Sequence, residues 1–147
     1  MEKPYLGAEV ISERLRTLAF PEAEGIVAIL RGGLVPAFMV AHQMGGLPVR
    51  LLGLNLRDEA NVLRRDVPEL TVPLDLSGWE PGMRLLLVDD VSVSGRTLER
   101  ARSFLEGFAV TTFALKGRAD IVAFPEIEGC VRWPWHAAPA PNAEGTP

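Results

Sequence analysis

Residues 85–98 read LLLVDDVSVSGRTL: four apolar residues, two adjacent acids, then a run of small residues leading into an amphipathic segment. An apolar run of this length, closed by turn residues, is the pattern of a strand buried on both faces, as happens where helices cover a parallel sheet. Ligands of open parallel sheets bind beyond the carboxyl ends of the strands, and Asp89 and Asp90 stand at such an end. Ser92, Ser94, Gly95 and Thr97 then lead into a helix, TLERARSFLEGF, whose unpaired N–H groups and dipole favour a phosphate. Two acids would repel that phosphate, so they must address sugar hydroxyls, a metal, or both. A ribose 5-phosphate satisfies both halves. The plainer alternative is that these Asp and Ser residues solvate a loop and cap a helix.

Working outward, GIVAIL (25–30) is a second buried strand, closed by Arg31, Gly32 and Gly33. VPAFMVAHQMGG follows as a helix with Gly45 and Gly46 past its end, and PVRLLGLNL as a strand. This strand, helix, strand crossover defines a parallel α/β unit. An amphipathic helix opens the chain: Val10, Ile11, Leu15 and Leu18 recur at helical spacing, with Glu13, Arg14 and Arg16 on the other face. Residues 57–69 are charged and read as an exposed loop, and LTVPLDL as an edge strand because Pro73 interrupts it. VTTFALK and IVAF supply further strands, and CVRWPW a last apolar stretch near the sheet. The expected fold is α/β, a mainly parallel central sheet flanked by helices, with a small hood built from the chain ends and the LTVPLDL region. Residues 1–136 should form one domain and 137–147, AAPAPNAEGTP, a disordered tail.

A chain of 147 residues with 48% hydrophobic content suffices for one core and is short for two. Its net charge of -4 argues against a broad nucleic-acid surface, so any anionic ligand is held locally. The single cysteine, Cys130, excludes an intrachain disulfide framework and fits a reducing cytoplasm. Charges interrupt the N-terminal segment, and no apolar run reaches 18 residues, so a soluble, unprocessed protein without a membrane span is expected. There is neither a G-x-x-x-x-G-K-[ST] loop nor a G-x-G-x-x-G fingerprint, which disfavours nucleoside triphosphate hydrolysis and dinucleotide binding.

LLLVDDVSVSGRTL resembles the signature of the type I phosphoribosyltransferases, in which a strand and two acids precede a loop that usually ends Thr-Gly-x-Thr; here Ser94, Gly95, Arg96 and Thr97 match it with Ser for Thr. The resemblance implies that Asp89 and Asp90 bind the ribose hydroxyls of phosphoribosyl pyrophosphate. It also implies that Val91, Ser92, Val93, Ser94, Gly95, Arg96 and Thr97 form the 5-phosphate loop. AILRGGLVPAFMVAHQMG resembles the pyrophosphate loop of xanthine-guanine and small archaeal purine enzymes, formed here by Arg31, Gly32 and Gly33. Converging glycine N–H groups beside a guanidinium suit an anion. FALKGRADIVAFPEIEGCVRWPWHAA resembles their purine-binding end: Lys116 for the 6-oxo group, Val131 for backbone contacts, His136 near the base, with Trp133 and Trp135 as walls.

Three positions depart from that pattern. Val93 replaces an acid that handles a proton on the base, Cys130 a base-stacking aromatic, and His136 an acid that often reads the purine amino group. The activity so implied is phosphoribosyl transfer to a nucleobase, a 6-oxopurine by preference. Magnesium would be carried on the pyrophosphate, the partners would be phosphoribosyl pyrophosphate and a base, and the assembly would be at least a homodimer. Asp89, Asp90 and Arg31 are the expected catalytic residues, and residues 55–69, NLRDEANVLRRDVPE, match the place of the mobile hood. The open alternatives are a phosphoribosyl-pyrophosphate sensor without transferase activity and a transferase for a different base.

Overall fold

In the computed structural model, which describes residues 3–55 and 68–136, every strand joins one sheet. The elements run α1 (Ala8–Thr17), β1 (Gly25–Leu30), α2 (Leu34–Gln43), β2 (Val49–Asn55), β3 (Glu69–Val72), β4 (Arg84–Ser92), α3 (Arg96–Arg102), β5 (Ala109–Gly117) and β6 (Ile121–Val122), with a 3₁₀ turn at Ser103–Leu105. The spatial order is β3-β2-β1-β4-β5-β6. β1 pairs in parallel with β2 and β4, and β5 with β4 and β6; β3 alone runs antiparallel, against β2.

Strand alternation divides the core between the two faces. Leu86 and Val88 of β4 join Ile11, Leu15, Ala37 and Val40 from α1 and α2, whereas Leu85 and Leu87 join Leu98, Ala101 and Leu105 on the α3 side. β1 divides in the same way, Ile26 and Ala28 against Val27 and Ile29. Helices therefore cover both faces of the two central strands, which is why these strands read as unbroken apolar runs. Their carboxyl ends lie side by side, at the break where the chain order turns from β1 outward in both directions.

One reading needs correction: Val10 is 48% exposed, and only Ile11 and Leu15 of the α1 stripe are fully buried. The expected edge strand is present as β3, the antiparallel margin of the central sheet against β2. The chain ends themselves do meet: Tyr5 bridges Arg132, and backbone N–H groups of Leu6 and Arg132 donate to Arg132 O and Pro4 O at 3.0 and 2.8 Å. Residues 56–67, with most of the expected hood loop, and the tail at 137–147 lie outside the described residues. Among the described residues no helix is long and apolar enough to cross a membrane.

Candidate active site

β4 delivers the acid pair at its carboxyl end. Asp89 is 7% exposed; its Oδ1 accepts the Asp90 N–H at 2.8 Å, and Asp90 Oδ1 accepts the Val91 N–H at 2.7 Å. Each carboxylate is thus oriented by the next backbone amide. Burial, reinforced by the neighbouring Asp90 charge, raises the Asp89 carboxyl well above the usual carboxylate range. A carboxyl whose pKa rises on folding holds its proton more tightly in the folded state. Its ionisation therefore costs stability as pH climbs from the unfolded value through the raised one. Asp89→Asn keeps the acceptor for the Asp90 N–H and removes the charge. It should raise Tm of the ligand-free protein at neutral pH, by about 2–4 °C per kcal/mol regained, and leave Tm unchanged near pH 3; an equal effect at both pH values would contradict the burial of an ionised acid.

The turn after β1 touches this pair. A Cβ at Gly32 would overlap the Asp90 carboxyl group, and one at Gly33 would overlap the Val88 and Ile29 carbonyl oxygens. Gly33 N–H donates to Ile29 O at 2.8 Å, the Leu30–Arg31 peptide is cis, and Arg31 is exposed beside the turn. Two motifs far apart in sequence therefore become one surface because β1 and β4 are parallel neighbours.

Ser92 is the last residue of β4 and is buried, its hydroxyl without a hydrogen-bond partner among the described residues. The loop proper is Val93–Gly95: Val93 is 78% exposed, Ser94 Oγ accepts the Arg96 N–H at 3.3 Å, and Gly95 caps α3 with φ +85°. Arg96 is exposed and Thr97 half-buried in the first turn. One supporting residue escaped the sequence reading. Gly117, at φ +100°, lies so close that a Cβ would overlap Ser92 O, which also accepts the Arg118 N–H at 2.7 Å. A glycine directly after the strand FALK was its only sequence signal.

Half-buried Lys116 stands opposite Val91 in the β4–β5 register. Buried Val131 and Trp133 share an apolar cluster with Leu115, the residue before it. Trp133 stacks on Trp135 with ring centroids 5.5 Å apart and planes 10° from parallel. His136 is exposed, and among the described residues its hydrogen bonds stay within its own turn: its N–H donates to Trp133 O at 3.1 Å and its Nδ1 accepts the Trp133 N–H at 3.3 Å. Cys130 is exposed, as is His42 on α2. The structure thus sets Gly32 and Gly33 against Asp89 and Asp90, and places Val131 and Trp133 in one apolar cluster with Leu115, next to Lys116 in sequence.

An acid pair, a small-residue loop and a glycine turn lie along the carboxyl edge of an open, mainly parallel sheet, the edge at which α/β proteins bind their ligands. Residues 6–116 match the family described as phosphoribosyl transferase domain. The chain belongs to this phosphoribosyltransferase family, and it is a transferase enzyme. It is 30% identical over 125 residues to the xanthine-guanine phosphoribosyltransferase of Idiomarina loihiensis, covering 82% of this chain and 75% of that protein. It is also 31% identical over 100 residues to the adenine phosphoribosyltransferase of Cupriavidus pinatubonensis, covering 66% and 51%. Among solved structures, the purine phosphoribosyltransferase of Pyrococcus horikoshii superposes with a TM-score of 0.77 at 25% identity, over 95% of this chain and 97% of that one.

Proposed function

We propose that the enzyme transfers the 5-phosphoribosyl group of phosphoribosyl pyrophosphate to a ring nitrogen of a 6-oxopurine and releases pyrophosphate, as a step of cytoplasmic purine salvage by a homodimer. The observation that carries this reading is the contact of Gly32 with the Asp90 carboxyl, which brings the glycine turn and the acid pair within the reach of one sugar diphosphate. Asp89 and Asp90 accept the ribose hydroxyls, residues 91–97 hold the 5-phosphate, and Arg31 with Gly32 and Gly33 takes the leaving pyrophosphate. The bond from the anomeric carbon to pyrophosphate oxygen breaks as the bond to base nitrogen forms, and the base supplies the electron pair. A nitrogen-bound proton must leave the base, and Val93 cannot accept it, so it passes to water.

Magnesium fits this site as a passenger of the pyrophosphate. The acids present are hard oxygen donors, but each is already oriented by a backbone amide toward its own task. The ion would neutralise the leaving group while keeping several waters, and Asp89 and Asp90 are the carboxylates of the site that would face it.

The 6-oxo preference rests on Lys116, whose ammonium attracts a carbonyl oxygen and repels the amino group of adenine. His136 refines it. With Nδ1 accepting the Trp133 N–H, the neutral ring carries its proton on Nε2, a donor suited to the 2-oxo group of xanthine and unsuited to the 2-amino group of guanine. Lys116→Met should therefore lower kcat/KM for xanthine and hypoxanthine by roughly 10- to 150-fold, the worth of one charged hydrogen bond, while any turnover of adenine changes little. Equal losses for oxo- and aminopurines would remove Lys116 from base selection.

A further inference from the structure

Arg14 belongs to the face of α1 that amphipathic spacing assigns to solvent, yet it engages three groups at the start of the C-terminal segment. Its Nη1 donates to Ala123 O at 2.6 Å and to Glu126 Oε1 at 3.0 Å, and its Nη2 to Glu126 Oε2 at 2.7 Å. The guanidinium also lies 4.4 Å from the Phe124 ring centroid. An isolated surface ion pair is worth little. This one differs in being a two-pronged fork that also takes a backbone carbonyl and an aromatic face, which fixes its geometry.

The gripped stretch leads two ways. Toward β5, the Ala123 and Phe124 N–H groups donate to Ala114 O and Leu115 O at 3.1 and 2.8 Å, immediately before Lys116. Toward the chain end, Phe124 packs on Trp133 at 6.5 Å, Trp133 stacks on Trp135, and Trp135 meets His136 edge-on at 6.4 Å. Phe124 and Trp133 are almost wholly buried, so this ladder cannot slide without repacking. The Arg14 fork also holds the Glu126 carboxyl down to about 2, which extends the charged range of the pair into acid.

From this arrangement we infer that Arg14 is a positioning residue for base recognition: gripping Ala123–Glu126, it sets through Phe124, Trp133 and Trp135 where Lys116 and His136 meet the base. The inference rests on the assignment of Lys116 and Val131–His136 to the base site, and it leaves the sugar-phosphate half untouched, since Arg14 meets neither β4 nor the 31–33 turn in these contacts.

The test compares wild type, Arg14→Ala and Arg14→Lys in steady-state kinetics with both substrates varied. It is repeated in a Trp79→Phe background, so that Trp133 and Trp135 are the only tryptophans. Arg14→Ala should lower kcat/KM for the base by about 10- to 100-fold, the cost of a displacement near 1 Å, with KM for phosphoribosyl pyrophosphate changed less than about 2-fold. The near-ultraviolet circular dichroism of the stacked indoles should collapse. Arg14→Lys, which keeps the charge over Phe124 and one donor but loses the fork, should recover part of both signals. A purely structural Arg14 would reduce the active fraction, and so kcat, with both KM values intact; that result, or an unchanged indole signal, overturns the inference. If wild type uses no base at all, the assigned function falls, and the indole signal still decides whether Arg14 sets the ladder.

Discussion

Asp89→Asn combined with Asp90→Asn is expected to reduce phosphoribosyl transfer by roughly 10²- to 10⁴-fold while the protein stays folded. In the proposed reaction each carboxylate would accept a charged hydrogen bond from a ribose hydroxyl, worth about 1.5–3 kcal/mol, and two such losses give that factor. Stability should not suffer. Asn retains the carbonyl oxygen that accepts the Asp90 or Val91 N–H, and removing a buried charge beside another acid relieves a cost of the ligand-free fold. The measurement is kcat/KM for phosphoribosyl pyrophosphate alongside Tm. The single variants add a pH signature. In the proposed role the ionised Asp89 is a stronger acceptor for ribose hydroxyls than the protonated one, and burial raises its pKa, so activity should fall on the acid side at a pH above the ordinary carboxylate range. Asp90→Asn removes the neighbouring charge and should move that limb to lower pH.

The second large effect separates two adjacent glycines. Gly33→Ala drives a methyl group into the Val88 and Ile29 carbonyl oxygens, backbone atoms of the two central strands that have no rotamer to escape into. A loss of about 3 kcal/mol or more is expected, a fall in Tm of about 6–12 °C for a chain this size. Gly32→Ala meets the Asp90 carboxyl instead, which can swing aside. The fold should then persist with a smaller change in Tm, while KM for phosphoribosyl pyrophosphate rises about 10-fold or more because the acid no longer points at the sugar. Loss of stability at Gly32 equal to that at Gly33 would contradict this division of roles.

Most of the sheet was legible because burial on both faces writes itself into sequence as GIVAIL and RLLLVDD, and crossover rules then leave few topologies. The acid pair, the small-residue loop and the glycine turn were legible as types. Their contact was not, because it arises from the pairing of β1 with β4, which local pattern does not encode. The amphipathic stripe of α1 misplaced Val10, since a helix at the margin of the sheet buries a narrower face than its hydrophobic residues could fill. The same patterning assigned Arg14 to solvent. A long side chain can leave a polar face to reach a neighbouring segment, and spacing along one helix carries no record of where that segment lies.

The base half was the less legible part for a chemical reason. Lys116 is half-buried at the end of β5, but Val93, Cys130 and His136 replace groups whose chemistry they cannot reproduce. His136 Nδ1 accepts the Trp133 N–H, a backbone contact invisible in sequence.

The most direct test incubates the purified protein with magnesium, phosphoribosyl pyrophosphate and, in separate reactions, xanthine, hypoxanthine, guanine, adenine, orotate and uracil, following nucleotide and pyrophosphate together. The mechanism predicts equimolar nucleotide and pyrophosphate with the 6-oxopurines, xanthine foremost, and both products formed roughly 10²- to 10⁴-fold more slowly by the Asp89→Asn, Asp90→Asn variant. Binding of phosphoribosyl pyrophosphate with no nucleotide from any base would contradict it.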